Sequence, residues 1–222
     1  MIKLSKRLST VASFVRNGVT VVDVGTDHAY LPIYLVQSKK VKKAIATDIN
    51  EGPLSRAKDN ISQNDLENEI VTYISSGLDN IEAYLPDDIM ICGMGGELIA
   101  EIIEKSSYAK NNDINLILQP MTSARELREY LKNGFDIYDE AIVFEDGKFY
   151  QIVCARYDGK SHDYSEIELE IGKINIKNSS SDFKDFILHT IEKKKKIFMG
   201  LKVANRDTIA IEKQIAELER LK

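Results

Sequence analysis

Three short stretches concentrate the residues able to do chemistry. The first, Asp23-Val24-Gly25-Thr26-Asp27-His28, closes a β-branched run. The second is Asp48 with Ile49, and Asp48 follows Gly25 by 23 residues. An acid about 20 residues beyond a strand-end glycine is placed to grip ribose hydroxyls. The other reading of Asp48 is a helix cap. A pyrophosphate loop carries G-x-G-x-x-G so that its backbone can approach the phosphates. Here Gly25 is followed by Asp27 and His28, and a carboxylate there repels phosphate. The loop suits S-adenosylmethionine, which carries a sulfonium and an ammonium and no phosphate. Asp27 and His28 can also serve as turn and capping residues. The third stretch is Cys92-Gly93-Met94-Gly95-Gly96-Glu97. Three glycines in four positions let a ligand approach the backbone, or simply make a tight turn. Gln119-Pro120 is placed to add a wall to the same cleft.

The elements that must position these residues are legible. Residues 3–17 put Leu4, Leu8, Val11 and Val15 at helical spacing, and Gly18 ends the run. Residues 20–25, 44–48, 69–75, 88–93 and 114–120 read as short strands. Helical stretches follow three of them, at Gly52 to Gln63, Glu97 to Lys105 and Thr122 to Lys132. This alternation predicts a parallel sheet with crossover helices, which binds ligands at its carboxyl edge. Residues 137–157 break the alternation, with Asp146-Gly147 between two strand runs predicting an antiparallel hairpin. The fold class expected is α/β, Rossmann-like, ending in that hairpin.

Residues 158–182 are polar and read as a linker with room for one short helix. Residues 183–222 read as an antiparallel helical hairpin turning near Gly200. Leu201, Ala204, Thr208, Ile211, Ile215 and Leu218 form one seam, and Phe183, Phe186, Ile187 and Ile191 the other. The expected division is residues 1–157 and 158–222.

The chain has 222 residues and a net charge of −5, which taken whole argues against a nucleic-acid binder. The distribution is uneven. Residues 1–18 carry Lys3, Lys6, Arg7 and Arg16 and no acid, and the tail carries Lys193, Lys194, Lys195 and Lys196. These basic ends are candidate contacts for a polyanion's phosphates; a solvated helix face is the other reading of the lysine run. Cys92 and Cys154 form neither a disulfide framework nor a metal clip and are expected as buried thiols, with no metal site. No signal-peptide or membrane-span pattern is read, so a cytoplasmic protein is expected.

The segments LSKRLSTVASFV, DVGTDHAYLPIYL, ATDINEGPLSRA, ICGMGGELI, ILQP and FEDGKFYQI resemble, in order, the bacterial tRNA (adenine-N1)-methyltransferases acting on adenosine 22. The resemblance implies a class I methyltransferase fold with a coiled-coil appendage, S-adenosylmethionine as donor and tRNA as substrate. It maps the cofactor motif onto Asp23, Gly25, Thr26, Asp27 and His28, and the ribose-binding acid onto Asp48 with Ile49. The next cofactor-lining segment falls on Ser75, Ser76 and Gly77. Gly93 and Met94 then face the methyl-accepting atom. Asp27 is the candidate carboxylate for the reaction, with His28 and Tyr30 beside it. Tyr30 is placed either to stack on the target base or to join the core. Two other functions remain open at this level: a methyltransferase of a small molecule or protein, and a nucleotide-sensing coiled-coil module. Monomer and weak dimer are both compatible with the sequence.

Overall fold

Runs of β-branched residues bounded by glycine, asparagine and aspartate form the strands of the computed structural model, which describes residues 1–222. β1 (Thr20–Val24), β2 (Lys43–Asp48), β3 (Ile70–Ile74), β4 (Asp88–Gly95) and β5 (Asn115–Thr122) are parallel. β6 (Asn133–Glu145) and β7 (Lys148–Ser161) form the hairpin, and β7 inserts antiparallel beside β5. The sheet order is β3-β2-β1-β4-β5-β7-β6. Asp146 and Gly147, with φ of 49° and 74°, make the two-residue turn expected for an Asp-Gly hairpin.

Alternate side chains of each strand enter opposite cores. Val21, Ala44, Ala46, Met90 and Ile117 pack under α1 (Lys6–Phe14), α2 (Tyr30–Gln37) and α3 (Glu51–Ser62). Val22, Ile45, Ile89, Ile91, Leu116 and Leu118 pack under α4 (Gly96–Lys105) and α5 (Ala124–Leu131). Both faces are therefore covered, as a parallel sheet requires. At the start of α1, Ser5 caps the Leu8 N–H, while the Glu145 carboxylate accepts from the Lys6 and Arg7 N–H groups. A carboxylate there is favoured by the helix dipole, and it fastens α1 to the hairpin tip.

The segment beyond β7 differs from the expected linker. It holds two short helices, α6 (Glu166–Ile171) and α7 (Lys173–Asn178), whose Ile167, Leu169 and Ile171 are buried. The tail is α8 (Phe183–Val203) and α9 (Ile209–Glu219), and its turn lies at residues 204–208 rather than at Gly200, which is inside α8. A lone glycine costs only about 1 kcal/mol within a helix, so packing carried the helix through it. Phe183, Phe186, Ile187, Ile191 and Leu218 join Ile142, Ile167 and Ile171 in a third core against the hairpin.

A buried ion pair ties these parts together. Arg128 Nε donates to Glu140 Oε1 at 2.6 Å, and both side chains are fully buried. The other guanidinium nitrogens donate to Gln151 Oε1 at 2.7 Å and to the Leu169 carbonyl at 3.1 Å. Glu140 Oε2 accepts the Ile174 N–H at 2.9 Å. Gly172 makes this possible, since a Cβ there would lie 2.5 Å from the Glu140 carboxylate. Removing one partner of such a pair strands the other charge in the interior. Arg128→Ala is expected to destabilise the protein by about 3–5 kcal/mol in urea unfolding; a loss under 1 kcal/mol would show that water solvates Glu140.

Candidate functional site

The strand order reverses between β1 and β4, and the crevice at their carboxyl ends is where open α/β sheets bind ligands. Two clefts meet there. The larger, about 670 Å³, runs over Gly25, Asp48, Ile49 and Ser75–Leu78 toward α4. The smaller, about 280 Å³, is lined by Asp23, Gly25, Asp27, His28, Tyr30 and Gly93, with Arg7 reaching in from α1. Gly25 belongs to both. A Cβ on Gly25 would lie 2.1 Å from Met94 Cε, so the Met94 thioether rests on the glycine between the clefts.

The loop after β1 keeps its shape through local bonds. Gly25 takes a φ of 76°, and Thr26 Oγ1 accepts the Ala29 N–H at 3.1 Å. Asp23 is buried at its base. Burial pushes its carboxyl up to about 6, against a smaller lowering by the Thr26 hydroxyl. Asp27 has the opposite setting. It is exposed, and Arg56 of α3 clamps it, with Arg56 Nε donating to Asp27 Oδ1 at 3.1 Å. His28 Nε2 lies 3.2 Å from Asp27 Oδ2. The Arg56 bond holds the Asp27 carboxyl below the usual carboxylate range, helped by the charges of His28 and Arg56. His28 stacks on Tyr30 with centroids 5.1 Å apart and planes 13° from parallel. Tyr30 is 47% exposed, so it faces the cleft mouth rather than the core.

Asp48 ends β2 and lines the larger cleft. Its Oδ1 accepts the Asn50 N–H at 2.8 Å, so one oxygen does the turn-forming work of a cap. Ser75 Oγ donates to the Gly77 and Asp79 carbonyls, which bends the chain after β3 beneath Ser76 and Gly77. At the end of β4 the glycines have separate duties. Gly93 has a φ of 81° at a register shift against β5. Gly95 caps α4, and Gly96 lies so close to β5 that a Cβ would meet the Ser123 carbonyl at 2.1 Å. Cys92 is partly exposed on the floor of the smaller cleft, while Cys154 is buried and its thiol is pushed up by that burial.

The basic ends separate into different groups. Arg7 donates to Gln119 Oε1 and lies 5.2 Å from the centre of the Tyr150 ring. Lys6 pairs with Asp182 at 2.7 Å while staying exposed, and Lys3 is exposed. Arg16 is a correction to the sequence reading. Its guanidinium bonds to buried Asp88 at 2.6 Å and to the Asp87 and Asp113 carbonyls, at the opposite end of the sheet from the cleft. Lys194 is also internal, buried and bonded to Gln214 Oε1 at 3.0 Å. Lys195 pairs with Glu219 at 2.9 Å. Lys193 and Lys196 are exposed. Spacing along one helix could not separate these four lysines, because their partners come from α9 and α6.

Sequence reading also missed Arg56, and Asn60, whose Nδ2 donates to the His28 carbonyl at 3.0 Å. It missed Leu98 and Ile102 of α4, which line the larger cleft. An apolar Leu98 left 47% exposed one turn into a helix is the kind of signal that marks a ligand wall.

A doubly covered sheet with this order, an acid after β2 and an acidic, phosphate-averse first loop define a Rossmann-like methyltransferase. The methyltransferase domain family model matches residues 4–153. The tRNA (adenine(22)-N(1))-methyltransferase of Bacillus subtilis (strain 168) is 40% identical over 174 residues, 78% of this chain and 73% of that protein. A Streptococcus pneumoniae structure in complex with S-adenosyl-L-methionine is 34% identical with a TM-score of 0.86, covering 99% of both chains. M. capricolum TrmK in complex with S-adenosyl-homocysteine is 30% identical with a TM-score of 0.80, covering 98% of this chain and 96% of that one. The chain belongs to the tRNA (adenine(22)-N(1))-methyltransferase family.

The setting of Asp23 has a measurable consequence. Its folded value, about 6, lies above the ordinary 3.8, so the native state holds the extra proton between these values. The contribution of Asp23 to stability therefore falls as pH rises through that window and is level above it. Asp23→Asn is expected to abolish that slope and to raise the Tm of the ligand-free protein at pH 7. Thermal melts from about pH 4 to 8 check both; an unchanged slope would show that Asp23 is ordinary.

Proposed function

We infer that the chain performs the reaction of its family: transfer of a methyl group from S-adenosylmethionine to N1 of adenosine 22 in tRNA. The observation that carries the reading is the double cleft at the strand ends, with Asp48 on one side of Gly25 and Asp23 and Asp27 on the other. The residues fit this cofactor. Asp23 and Asp27 favour a cationic amino-acid end and would repel a dinucleotide's phosphates. When bound, S-adenosylmethionine supplies an electrophilic methyl group. Asp48, with one oxygen outside the turn bond, accepts from the ribose hydroxyls. Ile49, Ser76 and Gly77 wall the nucleoside end, and Asp23, Gly25, Thr26, Asp27 and His28 the amino-acid end.

Adenine N1 attacks through a lone pair and needs no proton removed first. Positioning therefore supplies much of the rate, on the order of 7–11 kcal/mol at best. N1 is paired inside a duplex, so the base must be unpaired or flipped out. The smaller cleft offers the stacked His28–Tyr30 surface at its mouth and the open Gly93 backbone on its floor. The product base is a cation. Asp27, kept ionised by Arg56, stabilises that charge and is a weak proton acceptor. Met94, lying on Gly25, is placed at the junction of donor and acceptor. The phosphate contacts proposed are Lys3, Lys6, Arg7, Lys193 and Lys196, without Arg16, Lys194 or Lys195. No helix is long and apolar enough to cross a membrane, and the cytoplasm, where tRNA is processed, is the compartment proposed.

The test is nucleoside analysis of unmodified tRNA after incubation with the protein and S-adenosylmethionine. N1-methyladenosine at position 22 is expected; methyl transfer only to protein or small molecules would replace the reading. Asp48→Ala is expected to raise the S-adenosylmethionine Kd about 10- to 100-fold, the worth of one or two hydrogen bonds to a charged group. Calorimetry showing wild-type affinity would remove Asp48 from the site. Asp27→Asn is expected to lower kcat by about 10²-fold or more with Tm preserved, and full turnover would leave the loop a purely structural role.

A further inference from the structure

A groove of about 740 Å³ lies where the hairpin tip, α8 and the turn from β5 into α5 meet. One wall carries Lys148, just after the turn, and the other carries Lys193. Both lysines are exposed, and neither has a carboxylate within ion-pair distance, unlike Lys194 and Lys195 beside them. Phe149 lies between the walls with His189 against it at 5.4 Å. Two carboxylates, Glu126 and Glu170, also line the groove. Glu170 faces Lys194 at 3.5 Å, so part of its charge is answered inside the protein.

Arg7 stands between the groove and the smaller strand-end cleft. At the near end of the groove lies Tyr150, whose ring is covered by the Arg7 guanidinium. Arg7 itself lines the smaller cleft with Asp23, Asp27 and Gly93. The Arg7 guanidinium is thus the cation nearest both the cleft and the groove. The walls come from parts far apart in sequence, and the buried Arg128–Glu140 pair and the third core hold them at fixed separation. Two unpaired cations on opposite rigid walls, with an aromatic floor, match a sugar-phosphate chain, whose charges repeat along its length.

We propose that this groove seats the backbone of the RNA strand adjoining the target nucleotide, with Lys148 and Lys193 each on a phosphate. The proposal rests on the tRNA reading above and adds a place for the strand, together with one lysine, Lys148, that lies in neither basic end. It also gives the tail a specific task, which is to supply one wall of the groove.

The test measures binding of an unmodified tRNA transcript to the full chain and to Lys148→Ala, Lys193→Ala and the double variant, over about 50–200 mM salt. Each single variant is expected to weaken binding several-fold. The double variant is expected to flatten the slope of log K against log salt by about 1.4–1.8, the equivalent of two phosphate contacts. S-adenosylmethionine affinity and Tm are expected to stay at wild-type values, which separates lost RNA contacts from lost folding. A double variant with the wild-type salt slope overturns the proposal. Methylation of the same transcript by the wild-type protein is read separately. If it fails while the double variant still flattens the slope, the reaction assigned above falls and the groove stands as an RNA site.

Discussion

The pairing of Arg128 with Glu140 holds together parts that the chain order keeps apart. Arg128 stands on α5, directly after β5, whose end lines the groove beside α8 rather than the clefts. Glu140 stands on β6, and their shared bonds reach β7, α6 and α7. Charges this deep are tolerated only because every partner is present. Guanidinium geometry suits the task, since its donors point in fixed directions in one plane. The pair thus ties the sheet to α6 and α7, and the tail packs on them and on the hairpin through the third core.

This junction bears on the proposed reaction, in which the clefts and the tail meet one substrate. The strand-end clefts are the proposed seat of the reacting atoms, while the basic tail lies beside the hairpin. Positional catalysis tolerates little slack, and a misplacement of about 1 Å can cost a hundredfold in rate. Asp23 and Asp27 divide the electrostatics between them: one is buried with a raised value, the other exposed and held ionised by Arg56. In the proposed reaction the first attracts the cationic end of the cofactor at neutral pH, and the second answers the charge formed on the base.

Much of this was legible in the residues. Period-two and period-3.6 patterns gave the strands, their order of alternation and the closing hairpin. Asp48, 23 residues past Gly25, and the missing phosphate glycines pointed to the type of ligand. These signals are local, and local backbone preferences survive folding when the sheet is buried on both faces. The reading faltered where partners come from distant sequence. Polar residues 158–182 looked like a linker because their spacing hides that Ile167, Leu169 and Ile171 turn inward together. Gly200 looked like a turn because propensity is weaker than packing.

The sequence by itself therefore determined the α/β class, the acidic strand-end motifs and the presence of basic ends, since each depends on neighbours within about one turn or one strand. Tertiary structure alone decided which charges are free. Arg16 and Lys194 are consumed by Asp88 and Gln214, and Arg56 is brought to Asp27. It also decided that Met94 lies on Gly25 and that Lys148 faces Lys193 across a groove. A side chain's availability depends on what lies within about 4 Å of it, and those neighbours are set by packing between elements rather than by spacing along the chain.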